Sequence, residues 1–169
     1  MGGQVMRKST LVVMLSLIVP AILLYGCASI SAQDQSAPDI KLQDIKGNAI
    51  QLSSFKGKVI ILDFFATWCP PCRQEIPDFI ALQEEYKDKD FVMIGVSLTP
   101  LDDVKPFTEK LGINYTVLIG DDKAESAYGP IRSIPTTFVI DKDFKVAKKY
   151  IGFRAKEVFE NDVKELLSK

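Results

Sequence analysis

The run Val59-Ile60-Ile61-Leu62-Asp63-Phe64-Phe65 limits the fold of this chain more than any other feature. It is β-branched and aromatic with one polar interruption, so it reads as a strand buried on both faces. Such a strand needs a covering layer on each side, and the flanking sequence supplies them. A helix is predicted over 70–86, with Ile76, Phe79, Ile80 and Leu82 on its apolar face. A second central strand follows at 91–97. A helix over 101–111 carries Pro106 as a weak point. A short strand spans 116–119 and a short helix 123–128. Strands at 136–140 and 146–151 are joined by a hairpin loop over 141–145. A terminal amphipathic helix over 155–167 offers Val158, Phe159, Val163, Leu166 and Leu167 to the core. Upstream, Ile40 and Leu42, then Ile50 and Leu52, alternate around Lys46-Gly47-Asn48 and predict two short strands joined by a turn. The order implies an α/β sandwich with a mixed central sheet, preceded by a β-hairpin extension.

Several kinds of chemistry are excluded. The chain has no histidine, which removes Ser-His-Asp and Cys-His catalysis and histidine metal sites. A net charge of −1 offers no broad basic face for nucleic acid. The three cysteines are Cys27, Cys69 and Cys72, too few for a structural zinc site. Haem attachment needs His after the second Cys of a Cys-x-x-Cys, and this chain has Arg73 there.

At the N-terminus Arg7 and Lys8 precede an apolar run over 11–24, broken only by Ser16 and Pro20. A membrane span needs ~20 apolar residues, so a signal-peptide core fits better than a span. The run ends in Leu24-Tyr25-Gly26-Cys27, which resembles a bacterial lipobox, with Tyr25 larger than the residue usual at that position. That resemblance implies a lipoprotein signal peptide over 1–26, a lipidated Cys27, a flexible tether to residue 37 and a domain over 38–169. The domain would sit outside the cytoplasm, periplasmic or on the outer cell surface, anchored to a membrane. An uncleaved signal-anchor with an incidental cysteine is the alternative.

Cys69 and Cys72 carry the chemistry. Disulfide exchange proceeds through a thiolate, so the site must favour one. With a strand ending near Phe65 and a helix starting after Cys69, that sulfur falls at the helix N-cap, where free N–H groups and the macrodipole favour negative charge. Cys72 lies one turn in, within reach of a disulfide. Cys69 is expected to be exposed and attacking, Cys72 more buried and resolving. An inert staple is the competing reading, but a staple across so short a loop restrains the unfolded chain least. Pro70 suits the first helical position. Pro71 lacks an N–H, so the Cys72 N–H becomes the main backbone donor to the Cys69 sulfur. A thiolate with such modest support favours the disulfide form and therefore a reductant.

The residues from Ile61 through Trp68-Cys69-Pro70-Pro71-Cys72-Arg73-Gln74-Glu75-Ile76-Pro77 resemble the active-site segment of TlpA/ResA-type thioredoxin-like proteins. Ile134-Pro135-Thr136-Thr137-Phe138 is similar to their second signature. The resemblance runs from about residue 38 to the C-terminus. It implies a thioredoxin-like three-layer sandwich. It also implies a cis Pro135 facing the cysteines, with the Ile134 backbone pairing with an extended client segment. Asp63 matches the buried acid of thioredoxins and would take the Cys72 proton. Glu75 matches an acid credited with tuning the cysteines; a surface acid complementing the helix start is its plainer reading. Trp68 is expected to cover the disulfide and exclude water. Pro77 is expected to bend the helix. Phe144 stands in a loop where such proteins usually carry Gly.

The implied activity is a membrane-tethered protein-disulfide reductase acting on exported clients, cytochrome c precursors among them. A membrane thiol donor supplies electrons, and no cofactor beyond the Cys69–Cys72 disulfide is needed. One alternative is a thiol peroxidase on the same fold. Its pattern asks for Thr three residues before the attacking Cys and Pro four before that, where this chain has Ala66 and Leu62. The other is a client-binding lipoprotein without catalysis, against which the retained cysteines argue.

Overall fold

The computed structural model describes residues 36–169. The signal peptide, Cys27 and the tether up to residue 35 lie outside the described residues. Strands β1 (Lys41–Gln43) and β2 (Ala49–Gln51) pair antiparallel as a separate two-stranded sheet. A 3₁₀ turn over Leu52–Phe55 leads into β3 (Val59–Phe65). Then come α1 (Pro70–Tyr86), β4 (Phe91–Ser97), α2 (Leu101–Leu111), β5 (Thr116–Ile119), α3 (Asp122–Ala127), β6 (Thr136–Ile140), β7 (Val146–Ile151) and α4 (Lys156–Leu167). These bounds match the sequence reading closely, and neither Pro77 nor Pro106 interrupts its helix.

The main sheet has the order β5-β4-β3-β6-β7. β4 lies parallel to β3 and β5 parallel to β4, while β6 and β7 run antiparallel to their neighbours. Every residue of β3 is buried, as a central strand covered on both faces must be. Ile60, Leu62 and Phe64 face a core with the hairpin's Ile40 and Leu42, Leu52 and Ala124 of α3. Val59 and Ile61 face Phe79 and Leu82 of α1 and Phe159 and Val163 of α4. This makes a thioredoxin-like three-layer sandwich, with alternation along β3 deciding which side chain meets which layer.

Two expectations need correction. Residues 36 and 37 are not tether: Ser36 bridges Lys145, and buried Ala37 donates its N–H to Phe144 O at 2.8 Å. Their composition is polar and small, but the hairpin loop offers them an open backbone edge. Phe144 in turn adopts φ 66° and buries its ring in the core beside Ala37. The left-handed turn that glycine would serve is kept, and ring burial offsets its cost.

Candidate active site

β3 ends at Phe65, and the chain turns through residues 66–69, with the Cys69 N–H donating to Ala66 O at 3.1 Å. Thr67 pins this turn from outside by donating its N–H to Thr99 Oγ1 at 3.0 Å. Cys69 is the N-cap of α1, in extended conformation, and Pro70 and Pro71 take the first two helical positions, where no N–H is required. The Cys72 N–H donates to Cys69 Sγ at 3.3 Å, as the missing Pro71 donor implies. The two sulfurs are bonded, with the Cα atoms 5.3 Å apart. The helix start thus aims its positive end at the sulfur that must carry charge when the bond opens.

Across from this turn the Ile134–Pro135 peptide is cis. It brings Ile134 O to 3.7 Å from Cys69 Sγ. Pro135 O accepts the Gly152 N–H at 2.8 Å. The structure corrects two expectations here. Cys69 is only 3% exposed in the disulfide, scarcely more than Cys72 at 1%. Trp68, expected as the cover, is 71% exposed. With the backbone of Thr67 tied to Thr99, the turn sends the indole outward. The cysteines are instead enclosed by Phe65, Ala66, Val104 and Val117, with half-buried Ile134 and Phe107 alongside.

Two carboxyl groups, one on β3 and one a helical turn past Cys72, are buried near each other. Asp63, 2% exposed, sits in register between Gly95 of β4 and Thr137 of β6 and accepts the Thr137 hydroxyl at 3.0 Å. Burial pushes its carboxyl well above the usual carboxylate range, the nearby Glu75 adds to the rise, and the Thr137 bond opposes it. Glu75 is fully buried, which removes the surface-acid reading. Its Oε1 accepts the Arg154 backbone N–H, and its Oε2 finds no partner among the described residues. Burial raises the Glu75 carboxyl to about 7, against the lowering effect of the Arg154 N–H and charge, with Asp78 adding a smaller rise. Tyr115 completes the cluster. Its phenol is held well above the usual range by burial and by the charges of Asp63 and Glu75.

Gly95 makes room for this cluster. A Cβ there would stand 3.0 Å from Phe65 Cε1 and 3.4 Å from Tyr115 Cε2. Gly95, Tyr115, Thr137, Gly152 and Arg154 were not legible as site residues. They gather through sheet register and one distant loop, which no spacing along the chain reveals. Only Thr137 lay inside a motif that the sequence singled out.

A model of the AhpC/TSA family matches residues 34–149. Thiol-disulfide oxidoreductase ResA of Bacillus thuringiensis (strain Al Hakam) is 36% identical over 135 residues, covering 78% of this chain and 77% of the relative. ResA of Geobacillus kaustophilus is 32% identical over 166 residues, 96% of this chain and 95% of that one. Among solved structures, a thiol:disulfide interchange protein of the thioredoxin family from Chlorobium tepidum TLS has a TM-score of 0.76. It is 36% identical, and the match covers 81% of this chain and 99% of that one. The chain therefore belongs to the AhpC/TSA family and is a thioredoxin-like thiol–disulfide oxidoreductase with its CxxC pair at Cys69 and Cys72.

Proposed function

We propose that this oxidoreductase works as a reductase of disulfides in exported proteins, held to a membrane by lipid on Cys27. The observation that carries the direction is the weak support of the Cys69 sulfur, a single backbone N–H at 3.3 Å among the described residues. A poorly stabilised thiolate leaves the disulfide as the preferred form, so the dithiol gives up its electrons readily.

The Cys69 thiolate attacks a client disulfide, forming a mixed disulfide and releasing one client thiolate. Cys72 then attacks Cys69 Sγ, which restores the 69–72 bond and frees the second client sulfur. The one proton that Cys72 must lose passes to the pair of acids formed by Asp63 and Glu75. Ile134 offers its backbone to an extended client segment beside cis Pro135, and exposed Trp68 offers an apolar contact at the rim. A membrane dithiol returns two electrons by attacking Cys69 Sγ. Cys69 is only 3% exposed in the oxidised protein, so the attacking thiol displaces part of the cover. Cytochrome c precursors, with their paired cysteines, are clients of the right chemistry.

Trapping with Cys72→Ser tests the reading. Disulfide-bearing exported proteins should accumulate on Cys69, and the measured reduction potential should be well below that of a dedicated oxidase. Clients captured as dithiols, or a potential near −120 mV, the order of strong oxidases, would reverse the direction. Peroxide consumption faster than disulfide exchange would favour the peroxidase. A Cys27→Ser chain that keeps its lipid label and its membrane attachment would remove the proposed anchor.

A further inference from the structure

The loop over 152–154, between β7 and α4, touches both halves of the site without containing any of the residues singled out for chemistry. At its start Gly152, at φ 78°, donates its N–H to Pro135 O at 2.8 Å. At its end the Arg154 N–H donates to Glu75 Oε1. The Arg154 guanidinium folds back over this short segment. Its Nη1 donates to Phe153 O at 2.7 Å and to Gly152 O at 3.4 Å, and its Cζ lies 5.7 Å from the centre of the Tyr150 ring. A long cationic side chain is thus spent on clipping its own loop, with one guanidinium nitrogen facing two carbonyls.

The clip fixes one end of a carboxyl group whose other end is open. With Oε1 held, Glu75 Oε2 is left without a partner among the described residues, fully buried and free to take or release a proton. Among the described residues, few charged and titratable groups surround Glu75. They are Asp78 on its own helix, Asp63 on β3, Tyr115 just before β5, and Arg154. Arg154 is the one cation among them.

We infer that Arg154 is a positioning residue for the exchange reaction, holding the loop over 152–154 as a strap that orients Glu75, one helical turn past Cys72, and braces the client-pairing peptide at Pro135. The inference rests on the reading of Glu75 as a proton acceptor and adds what controls it. Arg154 touches neither sulfur. It acts through its own amide on Glu75, through its charge on the same carboxyl group, and through the Gly152 amide on the Pro135 loop.

The test is the pH profile of insulin-disulfide reduction, driven by dithiothreitol, in the wild-type chain, E75Q, R154M, R154K and the double variant R154M/E75Q. The wild-type profile should break near the value that burial gives Glu75, about 7, and E75Q should lack that break. Loss of a nearby cation raises a carboxyl group by about one unit or more. R154M should therefore move the break upward by about one pH unit, roughly a tenfold lower rate at pH 6. R154K keeps the charge without the planar guanidinium and should shift the break less. In the E75Q background R154M should add no pH-dependent change. If R154M instead lowers the rate equally at every pH, or acts as strongly in E75Q as in the wild type, Arg154 is merely structural and the inference fails while Glu75 keeps its role. If E75Q retains the break, Glu75 is not the titrating group, and both readings fall.

Discussion

Replacing Glu75 by Gln should remove a loss of stability that the wild type suffers as pH rises from 5 to 8. The carboxyl group titrates at 4.5 when solvated and near 7 in the fold. Between those values the native state holds a proton that the unfolded chain has released. Wild-type stability therefore falls as pH rises through that window and levels off above the folded value. Between pH 5 and pH 8 the difference integrates to about 2.5 kcal/mol at 1.36 kcal/mol per unit. Gln keeps an oxygen for the Arg154 amide and has no charge to titrate, so any constant effect of the substitution cancels in the comparison. Removing the Glu75 charge also relaxes Asp63, which lies above its usual range partly because of it, and this adds in the same direction. The assay is urea unfolding of the oxidised proteins at both pH values. With a slope of ~2 kcal/mol/M the two midpoints should diverge by roughly 1 M more at pH 8 than at pH 5. Unfolding midpoints separated by the same interval at both pH values would refute the reasoning, because a carboxyl group that is buried but unperturbed has no such linkage.

Three further outcomes follow from the same geometry. Trp68→Ala should leave unfolding within about 0.5 kcal/mol of wild type, as befits a side chain 71% exposed, yet slow exchange with protein disulfides while sparing small disulfides; equal slowing of both would place the indole in the chemistry itself. Phe144→Gly removes a left-handed non-glycine residue, worth about 1–2 kcal/mol, but also empties a core position worth about 3–5 kcal/mol. Thermal unfolding should therefore show a net loss of about 2 kcal/mol, and a gain in stability would mean that backbone strain outweighs ring burial. Asp63→Asn should prolong the Cys69 mixed disulfide in quenched single-turnover reactions while leaving its formation rate unchanged; a faster release would assign proton acceptance elsewhere.

The layers of this fold were readable because they rest on local pattern. The run 59–65 had to be central, and the turn into Cys69-Pro70-Pro71-Cys72 had to start a helix. Even the single N–H on the Cys69 sulfur followed from Pro71 having none to give. What the sequence concealed was direction and depth. Trp68 looks like a lid, but its side chain stands largely in solvent. Glu75 could be read equally as a tuning acid or as a surface helix acid complementing the helix start. The amide that holds its Oε1 belongs to Arg154, 79 residues away. Ser36 and Ala37 look like tether because backbone pairing, unlike side-chain packing, leaves no mark on composition.

The buried acids and the proline of the active-site turn act on the same quantity. Pro71 withholds one donor from the Cys69 sulfur, leaving the 3.3 Å contact from Cys72. Asp63 and Glu75, when ionised, oppose a further negative charge beside them. Arg73 offers no compensation: it is exposed, and its guanidinium carbon lies 5.9 Å above the Phe107 ring. Each of these raises the free energy of the dithiolate relative to the disulfide, and a disulfide favoured in this way belongs to an electron donor. The effect should also strengthen with pH. As Glu75 loses its proton near 7, the thiolates meet more opposing charge, so the wild-type potential should fall with pH more steeply than that of E75Q across that region. Potentials of the two proteins that track each other from pH 6 to pH 8 would leave the proline alone to account for the reducing character.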